Sequence, residues 1–217
     1  MGNGIHAVIF DLDGTLLDSL EDIADSANAA LAAGGCATWP VDDYRRFVGN
    51  GMEALMRRAA PQDAGDEAIA SLRRAMSDNY AAGWHNKTRP YEGILPMLDR
   101  LSEMRLPLAV LSNKPHHFTT MMIRHFFHAT PFARVQGKPE TGAGKPDPSL
   151  ALAIADDMGV PPEHTAFMGD SGVDMDTATA AGMLPAGVLW GFRSEEELVR
   201  HGARLLLRHP LEAVKYL

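Results

Sequence analysis

Four short stretches of this 217-residue chain carry side chains whose types and spacing could do chemistry. Asp11-Leu12-Asp13-Gly14-Thr15 follows the apolar run Ala7 to Phe10, and Ser112-Asn113-Lys114 follows Pro107 to Leu111. Lys145 stands in Gly144-Lys145-Pro146-Asp147-Pro148, and Gly169-Asp170-Ser171-Gly172-Val173-Asp174 follows Thr165 to Met168. Side chains two apart on an extended segment point the same way, so Asp11 and Asp13 can face one cavity. Asp170 and Asp174, four apart where a helix begins, share a side of it. Carboxylates gathered in this way raise one another's pKa unless a cation sits among them. Hard oxygen donors with open positions suit Mg²⁺, and Lys145 with the Ser112 hydroxyl could then bring charge and a hydrogen bond to a phosphoryl group.

The elements that must position these residues follow from the hydrophobic pattern. The continuous apolar run at 7–10 reads as a strand buried on both faces. From Asp18 to Gly34 the period becomes helical, with Leu20, Ile23, Ala27, Ala30 and Leu31 on one stripe. Further helices are expected over 41–47, 52–60 and 68–82, with no strand between Leu16 and Trp84. Beyond about residue 86 strands and helices alternate. Strands are expected at 107–111, 165–168, 185–189 and 204–207, and helices at 115–127, 149–158, 171–181 and 194–201. Gly137 to Pro148 reads as a Gly/Pro-rich loop. The expectation is an α/β fold: a Rossmann-like parallel sheet core with helices on both faces and an inserted α-helical cap. The core takes residues 1–15 and 86–217, and the cap takes 16–85. In such sheets ligands bind beyond the carboxyl ends of the strands.

Each candidate has a plainer reading. Asp11 and Asp13 could end a strand and cap a helix, and Asp170 could be an N-cap. The Ser112 hydroxyl could satisfy its own backbone. Lys138-Pro139 rivals Lys145-Pro146, and Asp176 rivals Asp174, although Asp176 falls on another helix side where solvation explains it. Arg57-Arg58 reads as a solvated helix face. The nine histidines show no metal-ligand spacing. What favours the chemical reading is the coincidence of three loaded strand ends and a lysine in one sheet.

In order and in content, Asp11-Leu12-Asp13-Gly14-Thr15-Leu16, Ser112-Asn113, Lys145-Pro146 and Gly169-Asp170…Asp174 resemble the four motifs of the haloacid-dehalogenase superfamily. The resemblance spans essentially the whole chain. It implies Asp11 as a nucleophile that forms an aspartyl-phosphate, and Asp13 as general acid and then base. It also implies Mg²⁺ held by Asp11, the backbone carbonyl of Asp13, and Asp170, with Asp174 as a further ligand or an anchor behind the ligands. Ser112 and Lys145 complete the catalytic set, and Gly14, Thr15 and Asn113 are expected to contact substrate. Within the superfamily, Phe47 to Gly51, the helix that follows it, Gly187 to Arg193 and Asp18-Ser19 resemble phosphoglycolate phosphatases. Gly49, Asn50 and Gly51 would then form the cap turn that reaches over the substrate. Pyrophosphatases, sugar-phosphate phosphatases and β-phosphoglucomutase-like phosphotransferases carry the same motifs and stay open. A phosphonate hydrolase needs a cap lysine, and no lysine occurs before Lys87. Outside enzymes, a phosphometabolite sensor is the alternative.

The net charge of −8, from 28 acidic against 20 basic residues, argues against nucleic acid as a partner and leaves a small phosphorylated metabolite open. Cys36 is the sole cysteine, so no intrachain disulfide can form. With no leader-like segment and no membrane-length apolar run, a cytoplasmic location without membrane contact is expected. No feature speaks to oligomeric state.

Overall fold

The computed structural model describes residues 4–216, which form two compact units. One runs to Leu17 and resumes at Pro90; the other is Asp18–Arg89.

The first unit is built on a six-stranded, all-parallel sheet of β1 (Ala7–Phe10), β4 (Leu108–Pro115), β5 (Arg134–Lys138), β6 (Thr165–Gly169), β7 (Leu184–Val188) and β8 (Leu205–Leu207). Its spatial order is β5-β4-β1-β6-β7-β8. The chain builds outward from β1 to one edge, then returns to add strands on the other side. The order therefore reverses between β1 and β6, the place where an open α/β sheet leaves a crevice at its carboxyl end. The helices between strands are α5 (Ile94–Glu103), α6 (His116–Phe126), α7 (Ser149–Asp157), α8 (Gly172–Ala180) and α9 (Glu195–Arg200), and α10 (Ala213–Tyr216) ends the chain. Ile9 lies in register with Ala109 and Phe167, and all three pack with Ala151, Ile154 and Ala178 of α7 and α8. Val8 and Phe10 point to the other face and are equally buried, so the sheet is covered on both sides.

Two elements of this unit escape the sequence pattern. Helix α5 buries Ile94, Met97, Leu98 and Leu101 at helical spacing, a stripe that the Gly and Pro residues around it obscure. Strand β5 takes Gly137 and Lys138 out of the expected loop. It is an edge strand with one apolar side chain, Val135, so it lacks the run that marks a central strand. Strand β4 also continues through Ser112, Asn113 and Lys114 to Pro115 instead of ending at Leu111, with a register irregularity against β5 beyond Leu111.

The second unit is helical: α1 (Leu20–Ala33), a 3₁₀ turn at Val41–Asp43, α2 (Tyr44–Phe47), α3 (Met52–Ala59) and α4 (Asp66–Gly83). The chain enters and leaves it through two-residue strands, β2 (Leu17–Asp18) and β3 (Arg89–Pro90), which pair with each other; a strand so short has no readable period. Buried polar groups fasten its ends. The Asn28 side chain binds both the N–H and the C=O of Trp39 and accepts the Tyr44 hydroxyl at 2.7 Å. Asp22, buried in α1, accepts bonds from the Lys87 and Thr88 amides and the Thr88 hydroxyl at 2.7–3.1 Å. Among the described residues, no helix is long and apolar enough to cross a membrane.

Removing the Asp22 carboxylate strands three donors. Asp22→Ala is expected to destabilise this unit by about 2–4 kcal/mol, and Asp22→Asn by less. Hydrogen exchange at the Lys87 and Thr88 amides gives the local readout. Unchanged protection there would show that Asp22 does not fasten the segment.

Candidate active site

The carboxyl ends of β1 and β6 lie side by side. The Asp11 amide donates to the Met168 carbonyl at 2.9 Å, extending the parallel pairing by one step and setting Asp11 beside Gly169-Asp170. The chain then turns sharply: Leu16 and Leu17 both donate to the Leu12 carbonyl at 3.0 Å, and Gly14 donates to Leu17 at 2.8 Å. Gly14 occupies this turn with φ of 85°, and a Cβ there would lie 2.3 Å from Oδ2 of Asp170.

Carboxylate oxygens of Asp11, Asp170 and Asp174 lie within 4.8 Å of one another, and all three side chains are buried. Lys145 Nζ stands 2.7 Å from Oδ1 of Asp11 and 2.6 Å from Oδ1 of Asp174. The contact with Asp11 lies outside hydrogen-bond alignment, so Asp11 Oδ1 is a buried oxygen with an ionic neighbour and no hydrogen-bonded donor. The other oxygen of Asp174 accepts from the Ser171 amide and hydroxyl, closing a capping box on α8. Ser171, not Asp170, is thus the N-cap. Both Asp174 oxygens are engaged by protein groups. Asp170 is fixed by the loop after β7: the Phe192 amide donates to Oδ2 at 2.8 Å, and Trp190 Nε1 donates to the Thr15 carbonyl at 2.9 Å. Gly191 lies between them, where a Cβ would fall 2.3 Å from Asp170 Cβ.

The remaining candidates divide by what they touch. The Thr15 hydroxyl is fully buried and approaches Oδ1 of Asp170 at 3.4 Å, so its side chain serves the carboxylate. Asn113 donates from Nδ2 to the Lys145 carbonyl at 2.9 Å and so holds the lysine loop. Ser112 Oγ accepts the Lys114 amide at 3.3 Å, a local backbone bond that does not use its own O–H. Lys138 ends β5, whereas Lys145 is the lysine between the carboxylates. Asp176 is half exposed and pairs with His201 at 3.0 Å. Asp13 is paired with Lys114, Nζ to Oδ2, at 2.7 Å. Gly49, Asn50 and Gly51 belong to the helical unit, where both glycines have positive φ and Arg58 pins the turn by binding the Phe47 carbonyl and Asn50 Oδ1. Arg58 is therefore a bracket for that turn, while Arg57 makes surface pairs with Glu53 and Asp66. Sequence reasoning names Lys114 without giving it a role, reads Arg58 as solvated, and passes over the Phe192 amide. Of these only Lys114 carries a signal, its adjacency to Ser112-Asn113.

The electrostatics are those of a site short of positive charge. Four buried carboxylates, Asp11, Asp13, Asp170 and Asp174, face two buried ammonium groups, Lys114 and Lys145. Burial, more than the attraction of Lys145 can offset and reinforced by Asp174, pushes Asp11 from 3.8 up to about 7. Asp170 is raised well above its ordinary value by burial and then by Asp174 and Asp11, against the opposing Phe192 amide. Burial would lower Lys145, but Asp11 and Asp174 outweigh it and raise the ammonium's pKa above its usual value. The two negative charges left over, on an all-oxygen donor set, match one hard divalent cation. Asp11 and Asp170 could ligate it directly and the Asp13 carbonyl could add a third oxygen, with Asp174 bracing from behind.

Two outcomes are expected. Without a cation the folded state retains the Asp11 proton between pH 3.8 and about 7 where the unfolded state has lost it, so stability falls as pH rises through that window. A cation removes the penalty, so the rise in thermal midpoint on adding Mg²⁺ should be larger at pH 8 than at pH 5.5, with about 2.7 kcal/mol gained at a hundredfold excess over Kd. Equal shifts at both pH values would count against a cation among these carboxylates. Gly191→Ala should displace Asp170 and weaken Mg²⁺ binding about 10- to 100-fold by calorimetry; unchanged affinity would remove Asp170 from the ligand set.

Comparison with known proteins agrees with this geometry. The family profile described as haloacid dehalogenase-like hydrolase matches residues 8–188. A phosphoglycolate phosphatase from Psychrobacter arcticus is 30% identical over 198 residues, covering 88% of this chain and 86% of the relative. An N-acetylmuramic acid 6-phosphate phosphatase from Pseudomonas aeruginosa is 30% identical over 216 residues, covering 98% and 95%. Among solved structures, a candidate phosphoglycolate phosphatase from Lactobacillus delbrueckii subsp. bulgaricus superposes with a TM-score of 0.91 at 27% identity, over 97% of each chain. With its reversing parallel sheet and buried aspartates in motif order, the chain belongs to the haloacid dehalogenase-like hydrolase family and is a phosphatase within it.

Proposed function

We propose that the chain is a Mg²⁺-dependent phosphatase that hydrolyses a small phosphomonoester through an aspartyl-phosphate on Asp11, with 2-phosphoglycolate as substrate. The observation that carries this reading is the place of Asp11: buried at the end of the central strand, within 4.8 Å of Asp170 and Asp174, with Lys145 at 2.7 Å. A bound Mg²⁺ would supply the charge that keeps Asp11 ionised and neutralises the phosphoryl oxygens. An Asp11 carboxylate oxygen attacks phosphorus as the ester P–O bond breaks, and the electron pair left on the ester oxygen takes a proton from Asp13. In the second half Asp13 takes a proton from water as that water's oxygen attacks phosphorus, the aspartyl P–O bond breaks, and Asp11 and inorganic phosphate are released. Lys145 and the Ser112 O–H stabilise the transferring group. The helical unit is read as the cap domain of the phosphatase, with Gly49, Asn50 and Gly51 as its substrate-recognition turn.

A second reading concerns substrate size. The relative from Pseudomonas aeruginosa that covers 98% of this chain is named for a sugar phosphate, whereas the phosphoglycolate phosphatase from Psychrobacter arcticus covers 88%. We expect 2-phosphoglycolate to rank first by kcat/KM in a panel with N-acetylmuramic acid 6-phosphate, hexose phosphates and pyrophosphate. A sugar phosphate in first place would replace the glycolate reading and keep the general one. Asp11→Asn should lower kcat at least about 10³-fold, and chelation should abolish activity reversibly. A fully active Asp11→Asn protein, free of contaminating phosphatase, would remove the nucleophile assignment.

A further inference from the structure

We propose that Lys114 is a positioning residue for proton transfer, holding the Asp13 carboxylate by one oxygen so that the other is aimed at the ester oxygen and then at water. The proposal rests on the reading of Asp13 as acid and base given above.

Register brings the two together. Phe10 of β1 pairs with Val110 of β4, so Asp13 and Lys114, three and four residues further on, emerge at neighbouring points on the same sheet end. Their ion pair, Nζ to Oδ2 at 2.7 Å, joins residues 101 apart in sequence, with side chains 4% and 10% exposed. Its backbone is fixed in turn. Ser112 Oγ accepts the Lys114 amide, the Thr119 hydroxyl donates to the Lys114 carbonyl at 3.2 Å, and the pairing of β4 with β5 is irregular across this stretch. A buried ion pair contributes little net stability, because desolvation offsets most of the attraction. A fixed geometry is what it provides. Asp13 needs one: it stands on a turn, and its carboxylate must meet two different oxygens in the two half-reactions. With Lys145 shared by Asp11 and Asp174 and Lys114 on Asp13, neither ammonium can relax onto the other's partner without stranding a buried charge.

The experiment uses two substrates. 4-Nitrophenolate leaves phosphorus without a proton, so with 4-nitrophenyl phosphate Asp13 is needed only in the second half; with an alkyl phosphate such as 2-phosphoglycolate it is needed in both. Lys114→Met is expected to lower kcat about 10- to 100-fold on both substrates. KM should stay within about threefold, since no binding contact is lost. The variant should also show a nitrophenolate burst as the aspartyl-phosphate accumulates. Lys114→Arg should recover most of the rate. In an Asp13→Asn background, where no buried carboxylate is left unpaired, Lys114→Met should change kcat by less than about twofold, because both substitutions act through one group. Unchanged kcat in folded Lys114→Met, a rise in KM at constant kcat, or a further tenfold or greater loss in the Asp13→Asn background would each overturn the positioning role. A fully active Asp13→Asn protein would instead overturn the acid–base reading itself.

Discussion

Negative charge concentrated at one end of a parallel sheet is the condition to which the rest of this molecule responds. Asp11, Asp170 and Asp174 are buried within 4.8 Å of one another, a placement that water would disfavour and that Lys145 balances only in part. Every feature nearby limits how those carboxylates can escape the strain. Ser171 and the start of α8 hold Asp174, the Phe192 amide holds Asp170, and the tight turn after Asp11 keeps the first strand from drawing back. The result is a rigid acidic cradle whose oxygen donors and charge deficit suit a divalent cation. Burial with too little compensating charge is what lifts Asp11 to about 7, and a cation among the carboxylates would relieve it.

The cluster also explains the division of labour among residues of one type. Four aspartates in similar sequence settings have different surroundings. Asp174 has both oxygens engaged by Lys145 and Ser171 and is a brace. Asp170 has one oxygen held by a backbone amide. Asp11 has an ionic neighbour only, and Asp13 has a lysine of its own. Environment, not residue type, separates these four carboxylates.

Much of this is legible in the sequence, for identifiable reasons. The buried run at Ala7–Phe10 and the alternation beyond residue 86 require a parallel sheet, and a parallel sheet gathers its strand ends. Asp11 and Asp170 can therefore be assigned to one place from residue order alone, whereas Lys145 has to be preferred over Lys138. The features that escape have physical causes too. Strand β5 carries one apolar side chain because it lies at an edge, and α5 is masked by the turn residues around it. Lys114 and the Phe192 amide act across 101 and 22 residues, distances over which local pattern is silent. The resemblance implies that Thr15 contacts substrate, whereas its hydroxyl turns inward to Asp170; a motif gives the neighbourhood of a side chain, not its rotamer.

The position of β1 has a consequence for how the chain comes into being. It precedes the other strands of this sheet in the sequence, yet in the finished sheet it is flanked by β4 and β6, whose partner residues begin at Leu108 and Thr165. An apolar strand leading directly into two carboxylates must therefore wait, unpaired, while the helical unit and much of the remaining chain are made. The last clasp on its loop, Trp190 to Thr15, spans 175 residues. A nascent or truncated chain can contain every acidic residue of the site and still have no site, because the contacts that converge them are complete only once the loop after β7 has been made. The site in this fold thus arrives only with a completed core.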